Sequence, residues 1–309
     1  MSNFSSVIVS VPATTANIGP GFDCLGAALS LYNRFIFSSV EAEPGTVSIT
    51  ALGDEADRVQ LDADNLVYRA FVHLYQELNQ PVPAVQVEIQ LGVPLARGLG
   101  SSATAIVGGL VGANALLDFP LNRQAVMQMA IALEGHPDNV VPALVGGCCL
   151  AATDSNLAWE ICDIPWSDRI APVVAIPDFE LSTTEARRVL PATYSRADAI
   201  FNTAHLGLLV RGLEMGNPAW LQAALQDRIH QPYRQALIPG YGAVQVAAIA
   251  AGAYGLVISG AGPTLLALAA IDNADNVRDA IAQAWSQENT KAVVKVLKLD
   301  RAGASVQML

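Results

Sequence analysis

Lysine is almost missing from this 309-residue chain, occurring only as Lys291, Lys295 and Lys298. An anion bound elsewhere must therefore be held by arginine, by a metal or by backbone N–H groups. Charge as a whole is scarce, at 15% of residues against a usual share of about 25%. Its balance is acidic, 28 acids to 17 bases for a net −11, which excludes the cationic surface that nucleic acids require. Long apolar runs are missing too. The most apolar stretches, 105–117 and 140–152, are interrupted by Gly, Pro or Asn and fall short of the roughly 18 unbroken residues of a membrane span. The first residues carry no basic segment followed by an apolar core, so no secretory leader is read and a cytoplasmic location is expected. Cys24, Cys148, Cys149 and Cys162 form no CxxC, and His73, His136, His205 and His230 are scattered. Zinc patterns are thereby excluded, and the cysteines read as buried free thiols.

Apolar residues make up 52% of the chain, and its length suggests two domains at about 150 residues each. The polar, proline-containing segment 163–168 is the expected boundary, giving domains 1–165 and 166–309. Strands are read at 7–11, 33–40, 47–51 and, from strict alternation, 85–91. Apolar residues at helical spacing from Leu66 to Leu78, behind the Asp62–Asn65 capping cluster, predict a helix. Residues 101–117 predict another, apolar on nearly every side. Its three glycines, Gly108, Gly109 and Gly112, each cost about 1 kcal/mol of helix propensity, which suggests a helix kept thin for close packing. A third helix is read at 122–133. Beyond the boundary come a strand at 172–176, helices at 183–190, 197–214, 218–225 and 242–251, a strand–turn–strand at 254–269, a helix at 275–286 and a strand at 292–299. Strands and helices in both halves, without regular βαβ alternation, give an α+β class.

The chemistry begins at PLARGLGSSAT (94–104), between a predicted strand and a predicted helix. Glycines admit close backbone approach and the first N–H groups of a helix lack acceptors, so the segment suits a phosphate. It is not a Walker A loop, having no lysine. Gly98, Gly100 and Ala103 formally match a dinucleotide fingerprint, but Asp118 follows a helix instead of ending a second strand. Four further segments stand out. PATTANIGPGFDCLG (12–26) is turn-rich and carries Asn17 and Asp23; by itself it reads as a loop whose polar side chains satisfy local backbone. In EGHPDNV (134–140), Glu134 is a candidate Mg²⁺ ligand, Asp138 and Asn139 are candidate helix caps, and His136 reads as structural. Thr183 and Arg187 share a helical face, and Arg187 with Arg234 could grip a carboxylate. ISGAGPT (258–264) is a glycine hairpin able to bring backbone near a ligand.

Jointly these segments resemble the GHMP kinase superfamily. The loop at 94–104 looks like its ATP-phosphate motif PxxxGLGSSAx, and 257–263 like its third, glycine-rich motif. PATTANIGPGFDCLG, GHPDNVVPALVGG (135–147), STTEARRVLP (182–191) and HQPYR (230–234) are similar to the pattern of the homoserine kinase family within it. The resemblance implies an N-terminal domain like ribosomal protein S5 domain 2 and a ferredoxin-like C-terminal domain. It implies transfer of phosphate from ATP to the hydroxyl of L-homoserine, a step toward threonine, by a homodimer.

Carried over residue by residue, Pro94, Leu95, Ala96, Arg97, Gly98, Leu99, Gly100, Ser101, Ser102, Ala103 and Thr104 would cradle the nucleotide. Asn65 would touch adenine, and Ser102 and Glu134 would hold Mg²⁺. The substrate carboxylate would meet Arg187 and Arg234, its ammonium Asp23 and Asp138, and its hydroxyl Asn17 and Asn139, with Thr183 and Gly260 lining the pocket. Asn17, Asn139 and Arg187 are the expected catalytic residues. An amide at 139 cannot accept a proton as a carboxylate would, so in-line attack without a strong base is expected. Another small-molecule kinase of the superfamily, a nucleotide-binding regulator and a nicotinamide oxidoreductase are the alternatives.

Overall fold

The computed structural model describes residues 6–309. Two sheets organise it. In the first, β1 (Ser6–Asn17) and β2 (Gly21–Ser39) form a long antiparallel hairpin. The upper half of β2 pairs with β4 (Val85–Gln90), which in turn runs parallel to β3 (Val47–Leu52). The lower half of β2 pairs with β5 (Cys148–Thr153), and β5 with β6 (Trp159–Ile164). Four helices accompany this sheet: α1 (Leu66–Glu77), α2 (Ser101–Leu116), α3 (Arg123–Glu134) and α4 (Pro137–Val145). The chain then passes to a four-stranded antiparallel sheet of order β10-β7-β9-β8, comprising β7 (Ile170–Pro177), β8 (Gly255–Ile258), β9 (Leu265–Ala270) and β10 (Ala292–Val296). With it go α5 (Thr183–Arg188), α6 (Arg196–Met215), α7 (Pro218–Ala224), α8 (Gln231–Arg234), α9 (Tyr241–Ala250) and α10 (Ala274–Gln287). A final strand, β11 (Ser305–Met308), returns to the first sheet beside β1.

Strand periodicity explains the layers. Every residue of β7 is buried, because the strand has helices on both faces. Ile170, Val174 and Ile176 point into a core shared with Leu209 and Leu213 of α6, Leu221 of α7 and Ile18 and Leu25 of the long hairpin. Ala171, Val173 and Ala175 point the other way, toward Val244 of α9 and Ile281 and Trp285 of α10. The tip of the first hairpin is thus embedded in the second half of the molecule. This is why 12–26 is not the loop its composition suggests. Only 18–20 turn, and the flanking residues are paired strand, kinked by irregularities after Pro12 and Ala16. Asp138 and Asn139 also differ from expectation: they sit in the first turn of α4, whose N-cap is His136.

The thin helix is realised in α2. A Cβ at Gly108 would lie 2.4 Å from the Phe35 ring, one at Gly112 2.3 Å from the Phe37 ring, and one at Gly109 2.2 Å from the Val67 carbonyl oxygen of α1. The glycines are therefore notches that receive two sheet phenylalanines and the α1 backbone.

Candidate active site

The N-terminus of α2, the tip of the β1–β2 hairpin, the start of α4, α5 and the β8–β9 turn converge on a cleft of about 320 Å³. At one end is the glycine loop. Gly100 is the N-cap of α2, in a left-handed conformation (φ 68°), and no side chain caps the helix. The first amides of a 16-residue helix are thus left to a ligand, and the helix dipole favours an anion there. Glycine is required at 100: a Cβ would fall 2.0 Å from Thr14 Oγ1. Gly98 (φ 75°) is equally constrained, because a Cβ there would lie 2.4 Å from the Ser259 carbonyl oxygen. The loop is tied to both neighbours. Thr14 N–H donates to the Leu99 carbonyl (3.1 Å), Ser259 Oγ to the Gly98 carbonyl (2.7 Å), and Thr264 N–H to the Arg97 carbonyl (3.2 Å).

Several loop side chains are not available to a nucleotide. Leu99 and Ala103 are core residues. The Thr104 hydroxyl donates to the Ser101 carbonyl and accepts from Asn33 Nδ2, both at 2.8 Å. Leu95 N–H donates to Glu55 Oε2 at 2.6 Å. Arg97 borders the cleft but directs its guanidinium to the carbonyls of Leu95, Pro177 and Asp178. What remains for an anion is backbone from Gly98 onward and the hydroxyls of Ser101 and Ser102. Pro94 lacks an N–H altogether, and Ala96 lines the cleft with φ 52°. Asn65 caps α1, its Oδ1 accepting from Val67 N–H (2.9 Å) and its Nδ2 donating to the Gln60 carbonyl (2.6 Å). It also borders a second hollow of about 200 Å³, lined with Val59, Leu66, Leu91, Leu95 and Ser102. That hollow adjoins the glycine loop and is apolar enough for a base.

Ser102 Oγ donates to Glu134 Oε1 at 2.8 Å. Two hard oxygens so placed, one of them anionic, match the donor chemistry of Mg²⁺, which keeps most of its shell for water and phosphate.

At the other end, Asp23 and Arg187 form a two-pronged ion pair, 2.9 and 3.0 Å. Both are half-exposed. The structure thus joins two residues expected to contact opposite charges of one ligand. Arg234 is different. It is 2% exposed, donating to the carbonyls of Ala186 (3.0 Å) and Gly260 (3.1 Å), and among the described residues no carboxylate lies within 4 Å of it. Burial lowers its pKa, and the Arg187 charge adds to that. The Phe22 ring lies 5.1 Å from the Arg234 guanidinium and 5.9 Å from that of Arg187, a cation–π contact for each. His230 stacks on the same ring at 5.1 Å; its Nε2 faces the Gly19 carbonyl (2.9 Å) and its Nδ1 the Arg234 Nη1 (3.4 Å). Only a neutral ring, Nε2 protonated and Nδ1 accepting, satisfies both contacts. Burial accordingly depresses its pKa.

Asn17, at φ 72°, donates to the Gly260 carbonyl (2.8 Å) and accepts from Asp23 N–H (2.9 Å). One hydrogen and one lone pair of its amide remain. Asn139 Oδ1 accepts from the Thr14 hydroxyl at 2.7 Å. Thr14 is fully buried; sequence reading passed it over, since nothing in PATTAN separates it from Thr15. Asp138 is buried and joined to His136 Nδ1, which raises the histidine pKa, with the charges of Asp138, Glu134 and Asp23 adding to the effect against burial. His136, read as structural, borders the cleft, as do Thr183 and Gly260. Cys24, beside Asp23, is pushed up to about 11 by burial and the Asp138 and Asp23 charges; it is no thiolate at neutral pH.

Comparison with known proteins agrees with this geometry. The GHMP kinases N terminal domain model matches residues 65–147 and the GHMP kinases C terminal model residues 209–287. The homoserine kinase of Trichormus variabilis is 66% identical over 305 residues, covering 99% of this chain and 100% of that protein. That of Nostoc sp. is 65% identical with the same coverage. The crystal structure of homoserine kinase from Cytophaga hutchinsonii superposes with a TM-score of 0.91 at 30% identity, covering 99% of each chain. With two sheets meeting at an uncapped helix N-terminus and relatives alike from end to end, this chain belongs to the homoserine kinase family of the GHMP kinases.

Proposed function

We propose that the protein transfers the γ-phosphoryl group of ATP to the hydroxyl of L-homoserine, giving O-phospho-L-homoserine and ADP, in the cytoplasm and on the way to threonine. The observation that carries this reading is Arg234, a buried guanidinium beside the cleft with no carboxylate partner among the described residues. A buried cation is costly unless a ligand compensates it, and a substrate carboxylate does so. The Asp23–Arg187 pair can open to a zwitterion, the ammonium replacing one partner and the carboxylate the other. The uncapped end of α2 receives phosphate oxygens, and the apolar hollow beside Asn65 receives the base.

Asn139 explains how the hydroxyl is held. Its Oδ1 accepts from Thr14 and one Nδ2 hydrogen turns to Asp138 Oδ1 (3.3 Å), which leaves one N–H to offer to the acceptor oxygen. A donor orients that oxygen for in-line attack but takes no proton from it. The proton passes to a γ-phosphate oxygen or to water, as a loose phosphoryl-transfer transition state allows. Catalysis then rests on positioning and on the α2 dipole. Ser102 and Glu134 would hold Mg²⁺, which when bound neutralises charge on the phosphates. In this reading 1–165 and 166–309 are the two domains, with β11 crossing back to complete the first sheet, each contributing one side of the cleft, and the working unit is a homodimer.

The test is ADP release with Mg-ATP in the presence of L-homoserine, mevalonate, shikimate or no acceptor, with mass spectrometry of the product. Homoserine-dependent ADP together with O-phosphohomoserine is expected. Turnover on another acceptor only, or none on any, would overturn the reading.

A further inference from the structure

Arg97 lies inside the ATP-phosphate motif, yet its guanidinium is already engaged by three backbone carbonyls and two carboxylates. Nε donates to the Pro177 carbonyl (3.1 Å). Nη1 serves the Leu95 carbonyl (2.9 Å) and Glu180 Oε1 (3.0 Å). Nη2 serves the Asp178 carbonyl (3.0 Å) and lies 3.5 Å from Glu55 Oε1. The side chain is 9% exposed. Pro177 ends β7, and the segment it opens runs through Glu180 directly into Thr183 and Arg187 of α5. Glu180 also pairs with Arg58, which pairs with Glu55 (2.7 Å), and Glu55 in turn accepts from Leu95 N–H (2.6 Å). Two arginines and two glutamates thus close a charge-balanced ring between the glycine loop and the backbone leading into α5.

We propose that Arg97, with Glu180, is a positioning residue for the acceptor subsite and not a ligand of ATP. α5 has only six residues, and one of them, Ala186, is buried. Besides the Arg234 bond to the Ala186 carbonyl and the Asp23–Arg187 pair, its orientation is set by how residues 177–182 are anchored, and Arg97 contacts that stretch at the Pro177 and Asp178 carbonyls and the Glu180 carboxylate. Releasing it lets Thr183 and Arg187 drift from the carboxylate position, while the Gly98–Ser102 backbone stays fixed by Thr14 and Ser259. The proposal rests on the homoserine kinase reading above.

Full-length wild type, Arg97→Met, Arg97→Lys and Glu180→Gln are compared for KM of L-homoserine, KM of ATP and kcat, with thermal unfolding as a fold control. Arg97→Met is expected to raise the homoserine KM about tenfold or more and leave the ATP KM within about twofold, since misplacement of an ångström in a binding group costs this much. Arg97→Lys, with three donors, should recover part of the loss. Glu180→Gln, at a half-exposed position that tolerates change, should raise the homoserine KM about threefold in the same direction, and it decides the matter if Arg97→Met does not fold. Wild-type turnover with a rise confined to the ATP KM, or with an unchanged homoserine KM in the variants that fold, would overturn the positioning role alone. Absence of homoserine-dependent turnover by the wild type would overturn the functional reading, and this proposal with it.

Discussion

The N-termini of α2 and α5 face the same cleft and are built in opposite ways. α5 is closed by a reciprocal capping box, Ser182 accepting from Glu185 N–H while the Glu185 carboxylate returns to Ser182. α2 begins at a glycine with no side-chain cap and no acid in its first turn. A helix end that stabilises itself spends its free amides on its own side chains, whereas one that serves a ligand keeps them free. Under the proposed function, the contrast separates a structural helix start, used to place Thr183 and Arg187, from a binding one.

Breaking the open end should cost most. Gly100→Ala puts a methyl into Thr14 Oγ1 and forces alanine into a left-handed conformation, so kcat/KM for ATP should fall by about 100-fold or more. Near-normal ATP kinetics would show that α2 does not hold the phosphates. Next come the two arginines. Arg234→Met removes a buried charge and should weaken homoserine by about 1.5–3 kcal/mol, visible as a raised homoserine KM at constant ATP KM. Arg187→Ala, at a half-exposed pair, should cost less than this; the reverse order would mean that Arg187 is the main carboxylate anchor.

Acid should then loosen the same region. The folded-state pKa of His230 lies below its unfolded value of about 6.5, so between the two the unfolded chain binds the extra proton. Its contribution to stability is present above about pH 6.5 and is lost as pH falls toward the folded value. Urea midpoints should therefore drop from pH 7.5 to 5.5 more steeply in wild type than in His230→Gln; parallel slopes would refute a neutral His230. The smallest effect belongs to the closed end. Ser182→Ala should lower stability by about 1 kcal/mol with the ATP KM unchanged, a difference that thermal unfolding and initial rates resolve together.

Local signals were legible in the sequence where the structure is local. α1 begins behind Asn65, as the Asp62–Asn65 cluster indicates, α3 (Arg123–Glu134) follows the expected 122–133, and β4 follows its alternation. The three α2 glycines announced a thin helix. Pairings across long distances were not legible: β11 joins β1 from the far end of the chain, and β5 and β6 passed unread because Cys148–Thr153 carries no alternation. The 12–26 segment misled because Pro, Gly and Asn signal turns, whereas here they kink a hairpin that tertiary contacts keep extended. In the site, the motifs named Asn17, Asp23, Ser102, Glu134, Asn139, Arg187 and Arg234, which the fold brings to one cleft, yet they could not tell a backbone contact from a side-chain one. Arg97 and Thr104 look alike in a motif and serve the fold; Thr14, outside the phosphate loop, orients Asn139.

The notches in α2 act as a depth gauge. Because Phe35 and Phe37 fill them, the helix sits lower on the sheet than side chains would permit, and its first turn is held at the height of Thr14 and Asn139. Gly108 is seven residues from Ser101, about 10 Å along the axis, and touches nothing in the cleft. A single methyl there would nonetheless press on the Phe35 ring and lift the whole rod, so the height of the α2 first turn at the cleft is set in part by the thickness of the helix two turns away.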